Sequence, residues 1–382
     1  MKHTFFLLLL SFNLLAQSNE EKIMAILPDI DAKFQDFKTK NNLLSLSYAL
    51  VLDGKIIHQN NKGIVNITSK KEADNQSVYR IASMSKSFAS VAILQLRDAG
   101  KLKLDDPVSK YIKELKGQKY SKDAAEITIR HLLTHAAGFP EDNPWGDRQL
   151  DITEAAMLSM FKKGISFSTE PGIGYEYSNI GFAMLGYIIK KVSGQSYQNY
   201  IINNIWKPLG MHNTYWDYKQ VPQTRLALGY RYVRDDYVEQ PIEGDGAYGI
   251  MGGVLTSIED FAKYMAMHQA AYQASTPNSV VLKKSSIKEM HFPSNFNTMN
   301  NRGYTGTGAP CSNVSFYGYG LRIDQNCNQI RTIGHSGGLP GYGSDWKILP
   351  NYGLGIVTFT NGTYGSASTM NSQNLPFIIE KA

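Results

Sequence analysis

The sequence predicts an α+β fold: an antiparallel sheet built from both ends of the chain and flanked by helices, with a mainly helical lobe inserted over roughly residues 83–290. Three observations lead there. Apolar alternation with a period of two occurs at residues 44–52 and returns between 316 and 360, so strands come from opposite ends of the chain. Between them apolar residues recur at helical spacing from about 83 to 273. The helices therefore form a block set into a sheet rather than alternating with strands one by one, which excludes a doubly wound parallel sheet.

The chain opens Met1-Lys2-His3-Thr4, continues with an apolar run over 5–15 broken only by Ser11 and Asn13, and reaches Ala16-Gln17-Ser18. The run is too short to cross a bilayer, and no acidic residue precedes Glu20. This is the pattern of a secretory signal over 1–16, cleaved near Ala16, which leaves 17–382 as one two-lobed domain. No other stretch approaches membrane-spanning length. Export predicts that Cys311 and Cys327 form one disulfide in an oxidising compartment, the alternative being two free buried thiols. The net charge of +6 comes from Lys and Arg scattered singly or in pairs. It serves solubility and gives no nucleic-acid surface.

After the signal, Ile23, Ile26, Leu27, Ile30, Phe34 and Phe37 recur as one face of an amphipathic helix, with Pro28 a kink or restart. A strand at 44–52, a turn at Asp53-Gly54 and a strand at 55–58 make a hairpin. Helices are expected at 83–98, 107–114 with Asp106 as cap, 129–135, 155–161, 179–192, 197–206 and 257–273. Residues 294–312 are polar and irregular, a long surface loop that Cys311 would pin. Strands follow at 316–323, 330–334, 344–349 and 354–360, then a closing helix through Ile379.

The stretch around which this is organised is Arg80-Ile81-Ala82-Ser83-Met84-Ser85-Lys86. Ser83 stands at the front of a helix, and Lys86, three residues on, shares its face. The helix N-terminus favours negative charge there, so the pair has the local chemistry of an activated nucleophile. The same spacing occurs at Ser159/Lys162, Ser285/Lys288 and Ser344/Lys347, where an exposed pair is the plainer reading. Tyr177 and Asn179 lie two apart in a turn before a helix and can both point into one cleft. The matching Tyr197/Asn199 falls inside a helix, where the two point apart. Gly334-His335-Ser336-Gly337-Gly338 ends a predicted strand, where glycines let a substrate lie along the edge and accept from free amides. An ordinary turn explains those glycines too.

Ser-x-x-Lys, Tyr-x-Asn and His-Ser-Gly in this order resemble the serine β-lactamase and penicillin-binding-protein superfamily, above all its class C, DD-peptidase and family VIII esterase branch. Residues 129–138, 186–194, 207–211 and 252–257 are also similar to that branch. The resemblance implies a β-lactamase/transpeptidase-like fold with Ser83 as the acylated nucleophile. Lys86 and Tyr177 would share its proton, either one being the base. Asn179 would bind a substrate amide or hold Lys86, and the N–H groups of Ser83 and Gly338 would form the oxyanion hole. His335, Ser336 and Gly337 would line the substrate. His335 stands where β-lactamases of this branch carry Lys, and a mostly neutral imidazole binds a carboxylate less well. This implies poor penicillin turnover and slow deacylation of a bound β-lactam.

His131 and His135 have metal-ligand spacing on a helix but no adjacent Glu and no evident third ligand, so no metal is expected, and no cofactor. The aromatic run Tyr215, Trp216, Tyr218, Tyr230, Tyr232 and Tyr237 walls the cleft or decorates an exposed hairpin; Asp345 and Trp346 lie close to His335 in sequence. The expectation is an exported, periplasmic or secreted, serine hydrolase acting on D-amino-acid peptides, β-lactams, amides or small esters. The alternative is a penicillin-recognising sensor that is acylated without turnover.

Overall fold

The computed structural model describes residues 18–382 except Pro144 and Gly306; the expected export signal lies outside the described residues. A nine-stranded antiparallel sheet runs in the order Lys71–Glu72, Lys55–Asn66, Ser45–Leu52, Leu354–Thr360, Tyr342–Leu349, Arg331–Leu339, Arg322–Asn326, Pro310–Tyr317, Asn295–Tyr304. The two ends of the chain meet at its centre, with Leu46 opposite Thr360 and Leu52 opposite Leu354.

Alternation along the central strands gives the sheet two buried faces. On one, the helices Asn19–Ala25, Leu27–Lys40 and Ala367–Lys381 bury Ile30, Phe34, Tyr48, Leu50, Ile356, Met370 and Ile378. Pro28 sits in the first turn of the second helix, so it restarts the helix rather than kinking it. On the other face Trp346, Val357 and Phe359 meet the helical lobe through Phe88, Phe261 and Tyr264.

The helix Lys86–Asp98 is buried almost all round and is the centre of that lobe. The helices Glu154–Lys163, Asn179–Ser193 and Ile258–Ala270 begin at the side-chain caps Thr153, Ser178 and Ser257. Residues 107–114 are not an α-helix. They form two short 3₁₀ turns, Val108–Lys110 and Lys113–Leu115, because the Asp106 carboxylate accepts from the Lys103 amide and the Tyr111 hydroxyl instead of capping a first turn. The helix expected at 129–135 ends at Leu133, and His135 has φ +54°. The helix expected at 197–206 changes to π-helical winding at Ile202–Trp206.

The largest departure is at 294–312. The expected loop is a pair of antiparallel strands at the sheet's edge, with Phe316 opposite Phe296 and Cys311 opposite Gly303. These strands turn polar residues such as Asn297, Thr298, Asn313 and Ser315 toward the cavity and expose Phe296 and Met299, so they lack the apolar alternation by which strands are read. Cys311 is bonded to Cys327, Cα–Cα 5.9 Å, stapling this hairpin to the next. The strand expected at 316–323 breaks at Gly318-Tyr319-Gly320. Gly320 has φ +68°, and a Cβ there would lie 2.3 Å from Ser90 Oγ.

Candidate active site

Ser83 is placed by a turn, not by the first winding of an α-helix. Strand Tyr79–Arg80 pairs with Leu255–Thr256, the Ile81 amide donates to the Val254 carbonyl at 2.9 Å, and the chain then bends through Ala82 at φ +49° into a 3₁₀ turn, Ala82–Ser85. In 3₁₀ winding residues three apart eclipse one another, so Ser83 and Lys86 share a face more closely than in an α-helix. The turn is pressed against strand Arg331–Leu339. The Ser344 hydroxyl donates to the Ile81 carbonyl at 2.7 Å, and a Cβ on Gly337 would lie 2.2 Å from that same oxygen. Gly337 is thus a close-approach residue that seats the turn.

The Lys86 ammonium lies 3.0 Å from Ser83 Oγ, 2.7 Å from Asn179 Oδ1 and 2.9 Å from the Met251 carbonyl, and is completely buried. Burial lowers its pKa from 10.5 to about 7, against the raising influence of Asp147 and Asp142. The shift corresponds to roughly 5 kcal/mol of preference for the neutral amine. Desolvation therefore outweighs the nearby carboxylates.

Tyr177 faces the same hydroxyl, with its ring 4.9 Å from the Lys86 nitrogen. Burial pushes the phenol well above its ordinary range, and hydrogen bonding by Ser83 only partly opposes this. Asn179 is locked: its Oδ1 accepts from Lys86 and its Nδ2 donates to Asn143 Oδ1 at 2.6 Å. Of the two roles left open for it, the geometry serves the holding of Lys86. The Asp142 carboxylate accepts the Asn179 and Ile180 amides at 2.7 and 2.8 Å, fixing the start of helix Asn179–Ser193. His135 Nδ1 accepts the Ser178 amide at 3.1 Å, and its ring lies against Tyr177, Tyr317 and Phe182.

His335 lies within the strand, not at its end. Its Nδ1–H donates to the Ser336 carbonyl and its Nε2 accepts from the Tyr317 hydroxyl at 2.9 Å. Burial, Arg322 and Lys86 hold its pKa well below the usual range, so it is neutral with both nitrogens engaged. The neighbouring strand pairs only as far as Arg322 opposite Gly334. From His335 onward that edge is open, and a cavity of about 1010 Å³ runs along it, lined by Ser83, Tyr177, Arg322, His335, Ser336 and Gly338 among others. Arg322 brings a cation to this edge, partly buried beside Asp324 and the phenols of Tyr175, Tyr177 and Tyr317, with an Nε that has no acceptor among the described residues. Tyr364, whose hydroxyl donates to Asp147 at 3.0 Å, packs against Gly338, where a Cβ would lie 2.7 Å from the ring.

The competing pairs separate cleanly. Ser159/Lys162 and Ser285/Lys288 are exposed on helices, and Ser344 and Lys347 point to opposite faces of one strand. Tyr197 donates to Asp245 and Gly246, away from Ser83. His131 Nδ1 accepts a backbone amide, as His135 does. Of the aromatic run, Tyr232 and Tyr237 meet as a tilted pair on an exposed hairpin while Trp216 packs on Trp206 in the core. Asp345 is held by Lys347 and Asn371 and borders the far end of the cavity, and Trp346 is core. Sequence reasoning missed Arg322, Asp142, Asn143, Tyr317 and Tyr364. None belongs to a short motif, and only their convergence in space reveals them.

A buried amine lies beside a serine hydroxyl under an open strand edge, an arrangement chemically suited to acyl transfer through the serine. Residues 30–375 match the family Beta-lactamase, and the chain belongs to that family of serine hydrolases. It is 28% identical over 359 residues to Protein flp of Staphylococcus aureus (strain NCTC 8325 / PS 47), covering 92% of this chain and 64% of the relative. It is 28% identical over 305 residues to Penicillin-binding protein 4* of Bacillus subtilis (strain 168), covering 76% of this chain and 62% of that protein. The chain thus spans less than two thirds of the length of these curated relatives. Among solved structures it is similar to the octameric penicillin-binding protein homologue from Pyrococcus abyssi, with TM-score 0.79, 26% identity, and 93% of this chain and 77% of that one covered. It also shares the fold of a class C beta-lactamase, with TM-score 0.72, 21% identity, and 96% and 98% covered.

Proposed function

We propose that this chain is an exported serine hydrolase that works through an acyl-enzyme on Ser83, using amide or ester substrates such as D-amino-acid peptides, β-lactams or small esters. The observation that carries the reading is the Lys86 nitrogen 3.0 Å from Ser83 Oγ with a pKa brought to about 7. A neutral amine at that position takes the hydroxyl proton as Oγ bonds to the substrate carbonyl carbon. The resulting oxyanion is received by the amides of Ser83 and Gly338. As the tetrahedral adduct collapses, Tyr177, held protonated by its burial, passes a proton to the departing nitrogen or oxygen and is restored from Lys86. Water then repeats the sequence and releases Ser83.

Arg322 gives the site a preference. Its guanidinium faces the open edge where His335 supplies no charge, so it is the group that would hold a carboxylate on the leaving side of the substrate. Export is supported by the apolar stretch at 5–15 and by the Cys311–Cys327 bond.

The test is intact-mass spectrometry after incubation with a fluorescent penicillin, alongside turnover of p-nitrophenyl butyrate. The expected outcome is Ser83-dependent turnover of the ester, abolished in Ser83→Ala. A persistent adduct without ester turnover would instead make the chain a sensor, and wild-type rates in Ser83→Ala would remove the nucleophile assignment.

A further inference from the structure

A second cavity, of about 350 Å³, adjoins the first and takes no part in the mechanism above. Arg80, Arg148, Arg231, Glu243, Leu339 and Tyr342 are among its walls, and Asp147 borders both cavities. It opens where the oxyanion strand ends: Leu339 follows Gly338, and Arg80 stands three residues before Ser83.

Its walls carry three guanidinium groups, of Arg80, Arg148 and Arg231, against two carboxylates, Asp147 and Glu243. The guanidinium of Arg80 is buried, donates to the Glu243 carbonyl oxygen at 2.8 Å and leaves its Nε without an acceptor. Among the described residues no carboxylate lies within 4.0 Å of Arg80 or of Arg231, which is exposed on the rim. Glu243 and Asp147 also border the cavity and act through space on its arginines, Glu243 on Arg80 and Arg148 and Asp147 on Arg148, without pairing with Arg80 or Arg231. Asp147 accepts from Tyr364 at 3.0 Å, and Glu243 accepts the Leu150 amide at 3.3 Å. A buried cation with no paired carboxylate is costly unless a ligand supplies one.

The cavity also lies on a definite side of the reaction. Tyr177, the proton donor to the leaving group, has its ring 6.3 Å from that of His335, and Arg322 lies just beyond, opposite Gly334. The leaving group therefore occupies the His335 end of the strand. The acyl group runs the other way, past Gly338 to Leu339 and into the basic cavity.

The geometry points to a carboxylate-binding subsite for the acyl portion of the substrate, formed by Arg80 and Arg231 with Arg148 beside them. This rests on the acyl-transfer reading of Ser83 and specifies its substrates as acyl donors that carry an anionic group on the side retained by the enzyme. A planar carboxylate suits guanidinium groups through paired hydrogen bonds.

The test compares two esters with the same leaving group: mono-p-nitrophenyl glutarate, whose acyl chain ends in a carboxylate, and p-nitrophenyl butyrate, whose chain ends in a methyl. The expected kcat/KM is at least about tenfold higher for the glutarate, mainly through KM. The preference should shrink with added salt. In Arg231→Gln the ratio of the two kcat/KM values should fall about tenfold, and Arg231→Lys should restore part of it. Equal kcat/KM for the two esters, or a ratio that survives both Arg231→Gln and Arg148→Gln, would overturn the subsite. Failure of both esters to acylate Ser83 in the unsubstituted protein would overturn the acyl-transfer reading itself, and the subsite with it.

Discussion

The chemistry is set by the environment of Lys86. An ammonium exposed to water would stay charged at pH 7 and could not accept a proton, so in the proposed reaction it is complete burial that fits Lys86 to act as the base. Tyr177 is kept protonated over the same range by its burial, and in the proposed reaction it serves as a relay. Tyr177→Phe should therefore lower acylation by ~10² to 10⁴ while leaving Tm nearly unchanged, read by stopped-flow acylation and calorimetry. Arg322→Gln should raise KM about tenfold for amides whose leaving group ends in a carboxylate and leave neutral esters little affected. Equal losses for both substrate types would show that Arg322 supports the fold instead. Ser83, Lys86, Tyr177, Asn179 and His335 were legible because each belongs to a short ordered motif. Arg322 was not, since it enters the site only because its strand stops pairing opposite Gly334. The neutral state of His335 was half legible: the residue type was plain, but the Tyr317 hydroxyl that engages it was not.

At the scale of elements, the decisive unit is the 3₁₀ turn Ala82–Ser85 clamped to strand Arg331–Leu339. Gly337→Ala would drive a methyl group into the Ile81 carbonyl and the Ser344 hydroxyl, since its Cβ would lie 2.2 and 2.4 Å from them. The turn must then move, at a cost of about 1–3 kcal/mol, and acylation should fall together with Tm. An alanine variant with wild-type Tm and wild-type acylation would refute this clamp. Helical periodicity placed the turn correctly but could not distinguish its 3₁₀ winding from an α-helix, because Ser83 and Lys86 share a face in both. Likewise the strands at 295–304 and 310–317 escaped notice because their polar residues line the cavity and their apolar alternation is lost. The central strands, buried on both sides, were read from β-rich apolar residues bounded by turns.

For the molecule as a whole, the sheet closed by both chain ends forms the base on which the helical lobe is held, and the groups proposed as catalytic come from the junction between them. The edge strands are stapled by Cys311–Cys327 over a separation of 16 residues. Replacing both cysteines with serine should cost up to about 3 kcal/mol, read as a lower midpoint in urea, with Ser83 acylation retained below the transition. This architecture was legible from where the strand and helix periods change along the chain, whereas the path of the cleft depended on where one strand pairing ends. The central claim is that a neutral Lys86 activates Ser83, and the rate of Ser83 acylation by a fluorescent penicillin, followed from pH 5 to 9 with the adduct mapped by peptide mass, tests it most directly. Because the amine must lose its proton to act, the rate should rise with pH and level off above an apparent pKa of about 7, with the label on Ser83. A rate independent of pH across that range, or a label on any other residue, would contradict it.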